Sequence, residues 1–244
     1  PFTQVNLLST LRRVRDLEQR RFVNRQAPTA VEERQRPLRI VTVFSPRGGV
    51  GVSTVAANLA LGFQEETDKR ILLFEGKLYF GHLDVMLNIR SQNTLADLVP
   101  HAANMDDSLV MDVVTKHASG VHVMLSPGNV QISQGIRPDD LYNVFMGVQR
   151  QYELIVVDGG NSLNENTVTL MDAADRVLLV ATPDLASLRD TGRFIQISKG
   201  LGYPADKMLV VLNRAGMLGG VRSQDIESVL HHQIFAQIPD DGPN

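Results

Sequence analysis

Ser45-Pro46-Arg47-Gly48-Gly49-Val50-Gly51-Val52-Ser53-Thr54 separates a β-branched run, Arg39 to Phe44, from an amphipathic stretch, Thr54 to Gln64. Strand, glycine cluster, hydroxyl pair and helix in that order read as a phosphate-binding loop. Glycines let the backbone adopt positive φ and approach an anion closely, and the amides and helix N-terminus that follow carry positive partial charge. On this reading Arg47, Gly48, Gly49, Val50, Gly51, Val52, Ser53 and Thr54 surround a nucleotide's phosphates, with the Ser53 hydroxyl placed for magnesium. A glycine cluster alone is only a loop, so the reading depends on its flanks.

Outward from the loop, short apolar runs alternate with longer amphipathic ones, which predicts parallel strands joined by helices. Strands are expected at Arg39 to Phe44, Arg70 to Phe74, Val121 to Leu125, Leu154 to Val157, Arg176 to Ala181, Lys207 to Leu212 and Ile234 to Ile238. Helices are expected at Thr54 to Gln64, Pro138 to Gln151, Leu185 to Gly200 and Ser223 to His231. Continuous apolar strands imply a sheet buried on both faces. The fold class is therefore α/β, a doubly wound, mostly parallel sheet flanked by helices.

Ahead of this domain, Leu7, Leu8, Leu11, Val14 and Leu17 recur at helical spacing, which predicts an amphipathic helix within residues 1–22. Residues 23–37 are polar, contain Pro28 and Pro37, and read as a linker to a domain spanning 38–244. Nine arginines, Arg12 through Arg39, crowd this start, interleaved with Asp16, Glu18, Glu32 and Glu33. Mixed charge of this kind solvates a surface, so DNA binding is the weakest functional reading. The 244 residues contain no cysteine, which excludes a disulfide framework and a thiolate metal site and suits a reducing cytoplasm. No run approaches the roughly 20 apolar residues of a membrane span.

Two further strands end in chemistry. Leu154-Ile155-Val156-Val157 delivers Asp158 to the carboxyl edge of the sheet, where ligands bind in doubly wound folds, so Asp158 joins Ser53 as a candidate magnesium residue. The run Leu72-Leu73-Phe74 delivers Glu75-Gly76-Lys77 to the same edge.

The glycine loop resembles the deviant Walker A loop of the MinD/ParA ATPases, whose usual form is Lys-Gly-Gly-Val-Gly-Lys-Thr-Thr. The resemblance implies ATP with magnesium as cofactor. It also identifies what has changed: Arg47 holds the position of the signature lysine that reaches a dimer partner's nucleotide, and Val52 holds that of the phosphate lysine. Lys77 stands where the water-activating aspartate belongs, and a protonated lysine cannot be that base. The loop therefore predicts weak or absent hydrolysis, and weak or absent nucleotide binding is open too. One hypothesis gives Lys77 the charge that Val52 lacks; the other leaves it a solvent-facing loop lysine.

By the same resemblance Asn213 and Arg214 read the adenine, and Pro239 and Asp241 belong to a loop that closes over the base. An amide can pair with both edges of adenine. Phe80-Gly81-His82-Leu83-Asp84, Thr94-Leu95-Ala96-Asp97-Leu98, Thr182-Pro183-Asp184-Leu185-Ala186-Ser187-Leu188, Leu201-Gly202-Tyr203-Pro204 and Ile238-Pro239-Asp240-Asp241 are similar to the TadZ/CpaE pilus-assembly branch. That branch implies a homodimeric scaffold in the cytoplasm, recruited to membrane-associated or polar machinery of a Tad-type pilus and binding its assembly proteins. Such proteins join a receiver-like domain to an ATPase-like one, and Pro1-Phe2-Thr3 with the helix after it resembles a receiver's end; a plain N-terminal helix is the alternative. Relatives continue with helical structure past the position of Asn244, so the domain is expected to be shortened. The rival to the scaffold is an active ATPase cycling between ATP dimer and ADP monomer, with Arg47 and Lys77 substituting for the usual groups.

Overall fold

The computed structural model describes residues 39–200 and 202–241. The expected N-terminal helix, the linker and the last three residues lie outside the described residues. Five-residue strands β1 (Ile40–Phe44), β2 (Ile71–Glu75) and β5 (Leu154–Asp158) are buried at every position. Such strands can sit only inside a sheet covered on both faces, and they do so. With β3 (Thr115–Lys116), β4 (His122–Met124), β6 (Arg176–Ala181), β7 (Met208–Ala215) and β8 (Ile234–Pro239) they form one sheet in the order β3-β4-β2-β5-β1-β6-β7-β8. All pairs are parallel except β3 with β4.

Alternation of side chains along each strand divides the core in two. Val41, Val43, Ile71, Leu73, Leu154, Val156 and Val180 face α1 (Val52–Glu66), which lays Val52, Ala56, Ala57 and Ala60 against them. Phe44, Leu72, Phe74, Ile155, Val157 and Leu179 pack on the opposite face with side chains of α6 (Pro138–Val148), α7 (Glu165–Ala173), α8 (Leu185–Gly200) and α9 (Ser223–Leu230). Between β2 and α6 lie the short helices α2 (Leu83–Met86), α3 (Leu95–Leu98), α4 (Asp107–Val113) and α5 (Val130–Gly135).

Seven of the eight strands were legible as apolar runs. Strand β3 was not, because a two-residue antiparallel edge carries no periodicity. The predicted helix to Gln151 ends at Val148, and a 3-10 turn completes it. Strand β7 runs three residues beyond its expected end at Leu212, through Asn213 and Arg214 to Ala215, with an irregular register against β8 over that stretch.

Candidate nucleotide site

Parallel pairing sets the carboxyl ends of β2, β5 and β1 side by side, with Glu75 opposite Asp158 and Asp158 opposite Val43. The glycine loop leaves the end of β1 and is tied back to the strand-β5 turn, since Ser45 N donates to the Gly160 carbonyl at 3.2 Å. Helix α1 then starts at Val52, and its N-cap, Gly51, has φ 96°. Only glycine holds that angle without strain. A Cβ at Gly51 would also lie 2.5 Å from Asn213 Nδ2.

Ser53 stands near enough to Asp158 for its hydroxyl to favour the ionised carboxylate, which accepts from Gly160 N at 3.1 Å. Burial is the largest influence on Asp158, which is 1% exposed, and it raises the carboxyl above its ordinary value. The hydrogen bonds to Ser53 and Gly160 and the charges of Lys77 and His82 act in the other direction. The oxygen pair has the donor chemistry of a magnesium site. Lys77 does not fit that site, because a cation already acting on the carboxylate repels a second one.

Val52 is 7% exposed and belongs to the apolar cluster under α1. The Val52 side chain, at the position expected from the resemblance to carry a phosphate lysine, is therefore packed in the core. Arg47 is partly exposed and reaches Asp190 of α8, with 3.5 Å between Nη1 and Oδ2. Gly48, Gly49 and Thr54 are exposed, and Val50 is buried.

Asn213 is turned toward the loop. Its Nδ2 donates to the Val50 carbonyl at 2.8 Å, and its Oδ1 accepts from Arg214 N at 3.0 Å. The amide thus straps the glycine loop to the end of β7. Arg214, exposed at φ 55°, stands beside it, and Pro239 pairs with Ala215 at the same edge, followed by exposed Asp241.

Glu75 is engaged in structural hydrogen bonds through both carboxylate oxygens. Oε1 accepts from Leu83 N at 3.0 Å, and Oε2 accepts from Ser126 N and Ser126 Oγ, both at 2.9 Å. Burial raises its carboxyl, these hydrogen bonds offset part of that, and the charge of Asp158 adds to the rise. A buried carboxylate that accepts three hydrogen bonds holds the segments after β2 and β4 together. Asn161, which sequence reasoning passed over, lies against Gly48, where a Cβ would fall 2.9 Å from its Nδ2. Its only signal was its place three residues after Asp158.

Other motif segments prove to be local structure. Thr94 and Asp97 form a reciprocal capping box on α3. Asp184 accepts from Thr182 Oγ1 and Ser187 N, closing the entry to α8. Tyr203 donates to Asp172.

A family model described as an AAA domain matches residues 38–201, most of the chain and the whole of the site through α8. The chain belongs to the MinD/ParA family of P-loop ATPases. Within the family, the chain is 25% identical over 210 residues to the septum site-determining protein MinD of Thermotoga maritima, covering 82% of this chain and 75% of that one. It is 28% identical over 203 residues to an uncharacterized ATP-binding protein of Methanocaldococcus jannaschii, covering 83% and 74%. Among solved structures, a ParA family ATPase from Chlorobium tepidum superposes with a TM-score of 0.77 at 28% identity, covering 84% of each chain. MinD of Pyrococcus horikoshii, solved with Mg-ADP, superposes with a TM-score of 0.70 at 24% identity over 83% and 82%, which shows the fold alone. Among the described residues no helix is long and apolar enough to cross a membrane.

Proposed function

We propose that this chain is a MinD/ParA-family protein that hydrolyses ATP very weakly or not at all and acts as a TadZ/CpaE-like localisation and assembly scaffold for a Tad-type pilus. One observation carries the first part: at the phosphate-lysine position the Val52 side chain is built into the core, so no cation projects there. Removing a cation from a site where charge develops weakens both binding and transition-state stabilisation. Lys77 at the position of the catalytic aspartate acts in the same direction. The pilus role rests on the sequence resemblance of the segments quoted above.

A nucleotide in this site would lie along Gly48 to Thr54, with Asn213, Arg214, Pro239 and Asp241 toward the base. The same edge supports a homodimer or a partner protein. Phe80, Val130, Ile132, Leu185 and Leu218 are exposed apolar side chains in segments that follow β2, β4, β6 and β7, and Leu218 is 100% exposed. Exposed apolar side chains in segments that leave the carboxyl ends of several strands favour an interaction surface there. Arg47 stands at that edge.

The pairing of Ser53 with Asp158 supports a second reading, an active ATPase that cycles between ATP dimer and ADP monomer. Phosphate release by the purified protein with magnesium separates the two. Turnover that disappears in Asp158→Ala establishes the enzyme, and turnover indistinguishable from that variant establishes the scaffold.

A further inference from the structure

Helix α1 lies chiefly over β5, β2 and β1, and at the β7–β8 end of the same sheet Leu209 and Ala236 are only partly buried and Phe235 is 63% exposed. Where β7 and β8 begin, Leu209 and Phe235 border a cavity of about 630 Å³ that Asp206, Glu227 and His231 also line. An apolar floor with carboxylates on its rim suits a segment that is both amphipathic and basic. Asp206 uses one oxygen on Arg176, at 3.2 Å, and Glu227 uses one on Ile234 N, at 2.8 Å, which leaves the other oxygen of each for an incoming guanidinium.

The chain enters the sheet at this same end. Arg39 N is held at 2.8 Å by Asp175 at the foot of β6, and in the order β1-β6-β7-β8 three strand spacings, roughly 14 Å, separate that point from β8. The residues before Arg39 have the complementary chemistry. Residues 1–38 hold eight arginines and four acidic groups, a net +4, so with −3 for the whole chain the residues from 39 onward carry −7. Arg12, Arg13, Arg20 and Arg21 accompany an apolar stripe of Leu7, Leu11, Val14 and Leu17. The 17 residues from Phe22 to Leu38 span up to about 60 Å when extended, several times the separation, so tether length does not restrict the approach.

We infer that residues 7–21 dock on the β7–β8 cavity of their own chain, the apolar stripe against Leu209 and Phe235 and the arginines toward Asp206 and Glu227. Tethering sets the local concentration of the segment on the order of millimolar, so even a weak contact is populated. The cavity lies at the opposite end of the strands from the glycine loop, and the contact therefore holds whether or not nucleotide binds.

The chain has no cysteine, which makes engineered pairs unambiguous. Leu11→Cys/Phe235→Cys is oxidised in dilute solution beside Leu11→Cys/Leu218→Cys, whose second site is fully exposed beyond the far end of β7. Within-chain disulfide is read by intact mass and gel mobility, and the first pair is expected to close at least about tenfold faster. Thr10→Cys/Gln233→Cys, joined by a short bismaleimide, repeats the measurement with both apolar contacts intact, and melting temperatures near the parent's show each variant to be folded. Arg12→Glu/Arg13→Glu, and separately about 1 M sodium chloride, should each slow closure severalfold. Glu227→Arg should recover the rate in the arginine-reversed background. Equal rates for the two disulfide pairs, linkage between chains only, or closure indifferent to the arginine reversal overturns the inference.

Discussion

On the proposed reading Val52→Lys restores a missing cation, and the structure sets the size of both consequences. Val52 opens α1 at 7% exposure and packs with Val41, Val43 and Ala56, so replacing it forfeits much of the roughly 1.5–3 kcal/mol that full burial of such a side chain contributes. A lysine stem recovers part of that by covering the same apolar surface. A net loss of about 1–2 kcal/mol follows, or a fall in Tm of roughly 2–8 °C for a domain of this size. Against this, an ammonium beside a phosphate makes a charge-assisted hydrogen bond of about 1.5–3 kcal/mol, which tightens ATP by roughly 10- to 100-fold. Turnover should stay near the parent level, because Lys77 still holds the place of the base, and should rise only when Lys77→Asp is added. Differential scanning fluorimetry, calorimetric titration with ATP and a phosphate-release assay read the three effects. A Val52→Lys protein that is destabilised as expected but binds ATP no more tightly than the parent would refute the reasoning, since the loop would then not be a phosphate site.

Glu75→Gln should cost about 1–3 kcal/mol in urea unfolding, because a glutamine turns an NH2 toward donors on Leu83 or Ser126 and leaves one side unsatisfied. Gly51→Ala should cost about 1–3 kcal/mol from the positive φ alone, and should also push Asn213 off the loop, visible as faster amide exchange in residues 50–53. Glu75 and Asp158 both hold protons more tightly in the folded chain than unfolded, with burial the main cause. Their contribution is complete below the ordinary values of 4.5 and 3.8 and is lost as pH rises through the raised folded ones. Asp158→Asn should therefore stabilise the chain most at neutral pH, with its advantage over the parent shrinking as the solution is acidified. An advantage that grows toward acid in urea midpoints would show the carboxyl to be lowered instead.

The α/β class, the parallel sheet and the glycine loop were determined by the sequence alone, because each rests on local pattern. Five-residue apolar runs specify strands buried on both faces, and Gly48 to Gly51 between a strand and a helix specify a tight loop at the sheet's carboxyl edge. The reading of Val52 as a lost phosphate lysine and of Lys77 as a replaced aspartate came instead from the resemblance to the deviant Walker A loop. What sequence could not assign was the direction in which polar side chains turn. Asn213 holds the Val50 carbonyl across 163 residues of chain, and Glu75 is bonded from Leu83 and from Ser126, 51 residues away. Lys77 lies along Gly160 only because β2 and β5, distant in sequence, pair in register with Glu75 beside Asp158. Strand periodicity is a property of neighbours along the chain, whereas these contacts are set by which strands lie side by side, and that is decided when the whole core packs.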